Sequence, residues 1–308
     1  SARILGKLIH YFTSVSGCTD ELALNYNSDA TIDDDSCEYP DNGDYSLSFN
    51  GESNYIESDS YMISNVFKSF QPASSFFHNS WSVSIDFAID KEITSFGTDE
   101  FLGAQLFSKG VTVSDDCENS NPSSLSISLV EGGSGDISFI LANNQELIFN
   151  LSSLINDNDF INLEFVFESI PSGSWSVAED AKMSVLNDGV VIAEKNINQN
   201  QNGGNWGMPN TSGQPFFVGA KYTSSGNICR EFAGLINNIS IDANWNIQHG
   251  SFSDGRIAEW SSLLIENGQL LDQSGNQNNA NVSGVYLVEL IEGCKDEHAC
   301  NTNPDANI

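Results

Sequence analysis

Between residues 41 and 292 apolar and polar positions alternate with a period of two. Tyr45–Phe49 (YSLSF), Trp81–Ile89 (WSVSIDFAI), Ser124–Val130 (SLSISLV), Ile137–Leu141 (ISFIL), Ile161–Phe167 (INLEFVF), Lys182–Leu186 (KMSVL) and Gly234–Ile241 (GLINNISI) all follow it. Successive side chains of a strand point to opposite faces, so this pattern predicts antiparallel strands with one buried face and Ser or Asn turned to water. Asn187-Asp188-Gly189 between two such runs reads as a tight hairpin turn. Many short strands separated by Gly, Asn and Ser predict an all-β fold, a two-sheet antiparallel jelly-roll sandwich. The one fair helical stretch in this region is Ile257–Ile265, IAEWSSLLI. Trp81, Trp245 and Trp260 lie in or beside the periodic segments and read as core.

The flanks follow other rules. Residues 1–16, SARILGKLIHYFTSVS, carry Arg3 and Lys7 and no acid. Ile4, Leu5, Leu8, Ile9 and Phe12 fit one face of a helix, and Ile4, Leu8 and Phe12 also share one face of a strand. Such an arm either docks on another copy of the chain or is a linker. Residues 17–40 and 293–308 begin with the same unit: aligned from Gly17-Cys18 and Gly293-Cys294, they are identical at 10 of 16 positions. The expected order is therefore a basic apolar arm (1–16), a small cysteine unit (17–40), a sandwich (41–292) and the start of a second unit (293–308).

The small unit has too few apolar residues for a core and needs a disulfide or a metal to hold it. Its acids include Asp29, Asp33, Asp34 and Asp35. Closely spaced carboxylates on a turn suit calcium, which takes several hard oxygen ligands, although the EF-hand pattern is absent. A plain solvated acidic turn is the alternative. Cys18 and Cys37 bracket the unit, and a disulfide between them would add ~3 kcal/mol in the chain-entropy model. Cys117 and Cys229 sit in polar loops and either pair or stand as thiols. Cys294 and Cys300 either pair with each other or belong with partners beyond Ile308. Disulfides imply an oxidising, extracellular compartment.

Charge narrows the partners. With 11 Lys and Arg against 42 Asp and Glu, the formal net charge is -31. Nucleic acid and anionic lipid headgroups are repelled, and divalent cations attracted. No apolar run approaches the ~20 residues of a membrane helix, so membrane insertion is not expected. No signal peptide is visible, because Lys7 and His10 interrupt the only candidate apolar segment.

Three strings also resemble a known family. NGDYSLSFNGESNYIE (Asn42–Glu57), EFAGLINNISI (Glu231–Ile241) and DQSGNQNNANVSGVYLVE (Asp272–Glu289) resemble, in order, motifs of laminin-G-like, concanavalin A-like modules. The flanking units resemble the GCTDxxAxNYNPxATxDDGSC unit strung between such modules in large secreted proteins of marine bacteria and their viruses. The resemblance implies a jelly-roll used for adhesion, glycan binding or assembly, and not catalysis. Where the family's opening motif often has paired Asp, Glu52-Ser53-Asn54 stands here, which leaves a calcium site at that rim in doubt.

The sequence carries none of the common catalytic signatures. The ExDxxE string of glycoside hydrolases with this fold does not occur, and Glu164 and Glu168 read as outward strand acids. There is no GxSxG, no HExxH and no phosphate-binding glycine loop. The binding candidates are loop aromatics. Trp206 beside Asn205 in QNGGNWGMPN, and Trp175 in PSGSWSV, suit stacking on a sugar ring, or else anchor their loops against the sandwich. The sequence thus points to a non-catalytic extracellular module, with a glycoside hydrolase of the concanavalin A-like fold as the minor alternative, because a fold does not exclude a site. Its expected partner is a glycan or surface protein, or other copies of itself in a filament or virion.

Overall fold

The computed structural model describes residues 14–19, 25–32, 36, 45–59, 63, 66–67, 78–90, 94, 103–110, 125–130, 136–141, 145–151, 153–154, 160–170, 180–197, 215–223, 225–246, 255–261 and 265–290. The chain divides into a small unit, residues 1–41, and a large one, residues 42–308.

In the small unit Val15 accepts hydrogen bonds from the backbone of Thr31 and Ile32, at 2.8 and 3.1 Å, and Ser16 bridges to Ile32. Cys18 is buried and its carbonyl accepts the Asn27 N–H at 2.9 Å. Asn27 in turn caps the turn that follows, its Oδ1 accepting the Asp29 N–H at 3.0 Å. A Cβ on Gly17 would press on the Asn27 side chain. Gly17, Cys18, Asn27, Asp29, Ala30 and Ile32 are all among the residues repeated at 293–308. Among the described residues, then, the repeat conserves turn chemistry.

The large unit is an all-β, two-sheet antiparallel jelly-roll sandwich. Its strands are β1 (Tyr45–Asn50), β2 (Tyr55–Ser58), β3 (His78–Ile89), β4 (Gln105–Lys109), β5 (Leu125–Val130), β6 (Asp136–Leu141), β7 (Gln145–Asn150), β8 (Ile161–Ile170), β9 (Asp180–Asn187) and β10 (Val190–Ile197). They continue as β11 (Phe216–Val218), β12 (Lys221–Tyr222), β13 (Ile228–Cys229), β14 (Ala233–Asn246), β15 (Gly255–Ser261), β16 (Ile265–Glu266), β17 (Gln269–Leu270), β18 (Ala280–Ser283) and β19 (Tyr286–Glu289). One sheet of eight strands runs β10-β9-β8-β3-β14-β1-β19, with β15 also on β14. The other, of nine, runs β16-β17-β18-β2-β11-β4-β5-β6-β7.

Aromatic side chains join the sheets. Phe165 on β8 meets Phe107 on β4 and Phe139 on β6, each at 5.5 Å between ring centroids. Trp81 on β3 reaches the same Phe139 at 6.2 Å. Each fully buried large side chain adds roughly 1.5–3 kcal/mol, so the core rests on the inward half of the alternation. Trp81 and Trp260 lie in that core. Trp245 is on β14, its side chain outside the described set.

All seven alternating segments form strands, and the Asn187–Gly189 turn has φ of 47° at Asp188 and 76° at Gly189, as a two-residue hairpin requires. Two expectations are corrected. Ile257–Ile265 is not a helix: its first part lies in β15, where Trp260 pairs with Ile239 and Ala258 with Ile241 of β14. Cross-strand packing against a long central strand outweighs the weak local helical period. Ser126 and Ser128 of SLSISLV do not face water either. Ser126, Ser128 and Ser138 are fully buried. Ser126 donates to Gln105 Oε1 and Ser138 to Glu146 Oε1, each at 2.6 Å, and Ser108 to the Ala220 carbonyl at 2.8 Å. The middle of the nine-stranded sheet is therefore buried on both faces, and the hydroxyls of Ser108, Ser126 and Ser138 are held by partners within the protein, while that of Ser128 is buried without one.

Candidate functional site

The outward face of the eight-stranded sheet is different. Its central strands β3 and β14 carry small or polar residues at every outward position of the middle section: Ser82, Ser84 and Asp86 on one, Asn238, Ser240 and Asp242 on the other. The register places them in rows. Glu259, Ser240, Ser84 and Glu164 stand side by side across four strands. The next row is Arg256, Asp242, Ser82 and Val166, and on the other side lie Ser261, Asn238, Asp86 and Asn162. Strands sit about 4.8 Å apart, so the flanking β8 and β15 are about 14 Å apart across a floor of short side chains. Ser82 and Ser240 are nearly buried at that floor, while Glu164, Val166, Asp242 and Glu259 are half-exposed above it. The register thus lines up a polar strip along β3 and β14 between β8 and β15, called the trough below.

Its electrostatics are set by acids. Asp86 has its pKa raised, first by burial and also by the nearby Asp188 carboxylate, against a hydrogen bond from Asn237 that lowers it. On the β15 wall Arg256 pairs with both Asp242 and Glu259 at 2.8 Å, which fixes the two carboxylates as acceptors. Along β8, Glu168 pairs with Lys182 at 2.9 Å, and Glu164 stands beside Ser84. Asn238 Oδ1 in the floor and Ser184 Oγ, beside Val166, are buried without a hydrogen-bond partner. Two further buried orphans among the described residues, Ser46 Oγ on β1 and Ser128 Oγ on β5, lie away from these rows, so the orphans by themselves do not mark the site.

The motifs that carried the family resemblance are used by the fold. Asn54 Oδ1 accepts the Asn50 N–H at 2.7 Å, and its side-chain amide faces Gly284. Asp272 Oδ1 takes the N–H groups of Glu259 and Ser274, each at 2.9 Å. Its Oδ2 takes Ser274 Oγ at 2.8 Å and Asn278 N at 2.9 Å. These oxygens are spent on loop closure, so neither rim motif fits a calcium ion. Among the described residues no group of three His, Cys, Asp or Glu side chains is placed to hold a metal.

Of the sequence candidates, Asp29 has an exposed side chain beside the Asn27 turn. Asp33, Asp34, Asp35, Cys37, Cys117, Trp175, Asn205, Trp206, Cys294, Cys300 and the arm residues Ile4, Leu5, Leu8, Ile9 and Phe12 lie outside the described residues. Cys18 and Cys229 are each disulfide-bonded, their partners likewise outside that set. The trough itself escaped the sequence reading. Its signal was present as the serine and asparagine positions of WSVSIDFAI and GLINNISI, but alternation alone does not distinguish an open polar face from a covered one.

No helix among the described residues is long and apolar enough to cross a membrane. No family model matches the sequence, and no curated protein matches it. Among solved structures the chain is similar to a native heptameric SAP-like pentraxin from Limulus polyphemus, at 12% identity and a TM-score of 0.37 over 66% of this chain and 77% of that one. It is also similar to the enzymatically active domain of bacteriophage CBA120 tailspike protein 2, at 12% identity and a TM-score of 0.29 over 53% of this chain and 22% of that one.

Proposed function

We propose that this chain is a non-catalytic, extracellular glycan-binding module, and that the trough on the eight-stranded sheet receives the glycan. The observation that carries this is the row of Ser82, Ser84, Ser240, Asn238 and Asp242 on β3 and β14, between flanking strands bearing Glu164 on β8 and Glu259 on β15. A sugar presents many hydroxyls that donate and accept at once. Carboxylates and amide oxygens accept from them, serine hydroxyls reciprocate, and an extended row of such groups matches a chain of sugars lying along the strands. The resemblance of the three rim strings to laminin-G-like modules supports the same reading, as do the disulfide-bonded cysteines, which favour an oxidising compartment.

Charge selects the class of glycan. With a net charge of -31 and carboxylates on both walls, a sulfated or uronic-acid polymer would be repelled. A neutral glycan is the ligand. An array carrying neutral, sulfated and sialylated glycans tests this. Binding confined to neutral glycans is the expected result. Binding led by the anionic ones, or none at all, contradicts it. Calcium, in this reading, belongs to the small unit through Asp29, Asp33, Asp34 and Asp35, and takes no part in the trough.

A further inference from the structure

The eight-stranded sheet ends at β10, which pairs with β9 along one side and with no other described strand in the sheet. A free strand edge offers a row of backbone donors and acceptors to any extended chain. Proteins usually guard such edges with lysine or proline. Here no proline occurs in VVIAEKNI, and its one lysine, Lys195, turns across the sandwich to donate to the Glu146 carbonyl of β7 at 2.7 Å. Beside the exposed Glu194 and Asn196, the strand leaves an apolar run in water: Val190 is 66% exposed, Val191 51% and Ile192 40%. A bulge between Val191 and Ala193 moves Ile192 out of the ladder to β9. These are three of the seven large hydrophobic residues exposed among the described positions, and they are consecutive on an edge.

We propose that β10 accepts an extended strand donated by residues 1–13 of a second copy. Charge picks the occupant. Residues 1–13 hold two of the chain's 11 cations, Arg3 and Lys7, and none of its 42 acids. The edge presents Glu194, exposed on β10, with Asp188 in the adjoining turn and Glu146 on the neighbouring β7. Pattern agrees: in an extended arm Ile4, Leu8 and Phe12 share one face and Leu5 and Ile9 the other, so apolar groups meet the Val190–Ile192 stretch on either side of the ladder. Length agrees too. Nine residues from Ile4 to Phe12 extend about 30 Å, and the eight residues of β10 about 26 Å. The donated segment ends where Val15 is fastened to Thr31 and Ile32 in the small unit. A donor on one copy and an acceptor on the next make a head-to-tail contact, which propagates unless its rotation closes a ring.

Three full-length or nearly full-length proteins test this by sedimentation velocity across a concentration series, with circular dichroism to confirm folding. The wild type should self-associate, more weakly at high salt. The V191K/I192K double variant, altered only at exposed positions, should associate at least tenfold more weakly. The chain lacking residues 1–13 should do the same. Mixing the two defective proteins should restore a single type of junction, because one still has the donor and the other the acceptor. The proposal is overturned if the wild type is monomeric throughout, or if the truncated chain assembles as well as the wild type. It is also overturned if the mixture does not associate.

Discussion

Asp272 Oδ1 accepts the backbone N–H of Glu259 at 2.9 Å, thirteen residues back along the chain. The same carboxylate closes its own loop through Ser274 and Asn278, and Asn278 in turn accepts the Trp260 indole N–H at 2.9 Å. One side chain thus ties the β17–β18 loop to β15, the wall of the trough that carries Glu259. Hydrogen bonds to a charged group contribute about 1.5–3 kcal/mol each, with partial replacement by water. Asp272→Ala should destabilise the protein by about 3 kcal/mol in urea unfolding, and Asp272→Asn by less, because one oxygen survives. A variant as stable as the wild type would show that the loop is held by other contacts.

Asp86 makes stability depend on pH in a particular direction. Its folded-state pKa lies above the ordinary carboxylate value of 3.8, with burial the leading cause. The folded protein therefore keeps this proton at a pH where the unfolded chain has lost it. The contribution is fully present below the ordinary value and is lost as pH rises through the raised one. Asp86→Asn removes the charge while keeping a side chain that can pair with Asn237. The variant should be more stable than the wild type at about pH 7 and indistinguishable from it at about pH 3. Equal stability at both, or a loss at neutral pH, would contradict the assignment.

Chelation separates the two units. The carboxylate of Asp272 and the amide of Asn54 are occupied by internal hydrogen bonds. Removing calcium should leave the melting of the sandwich unchanged and lower only the protection of the small unit, read by proteolysis between residues 17 and 40. A fall in the sandwich transition would place a cation in the large unit.

The fold was legible in the sequence where its physics is local. WSVSIDFAI and GLINNISI became β3 and β14 because a period of two admits no other regular structure at that length. Asn187-Asp188-Gly189 turned as read because few residues tolerate positive φ in succession. IAEWSSLLI misled because its partner is β14, and a cross-strand pair leaves no mark in a nine-residue window. Ser126 and Ser138 misled for a related reason: whether an outward face is covered depends on chain far away in sequence. The trough was the least legible part. Its floor is made from Ser84 and Ser240, distant in sequence and each unremarked alone, which only the register of two strands brings together.

The most direct test of the central claim is titration calorimetry of a neutral oligosaccharide, chosen from the array, into wild type and Ser84→Phe. Ser84 is half-buried in the middle of the trough, facing Ser240 on one side and Glu164 on the other. Phenylalanine suits a strand, so the fold should tolerate it while the floor is filled. The account predicts at least a tenfold loss of affinity with an unchanged melting temperature, and near wild-type binding for Trp175→Ala and Trp206→Ala. Wild-type affinity in Ser84→Phe, with binding lost in either tryptophan variant, would contradict it and move the site to the loops.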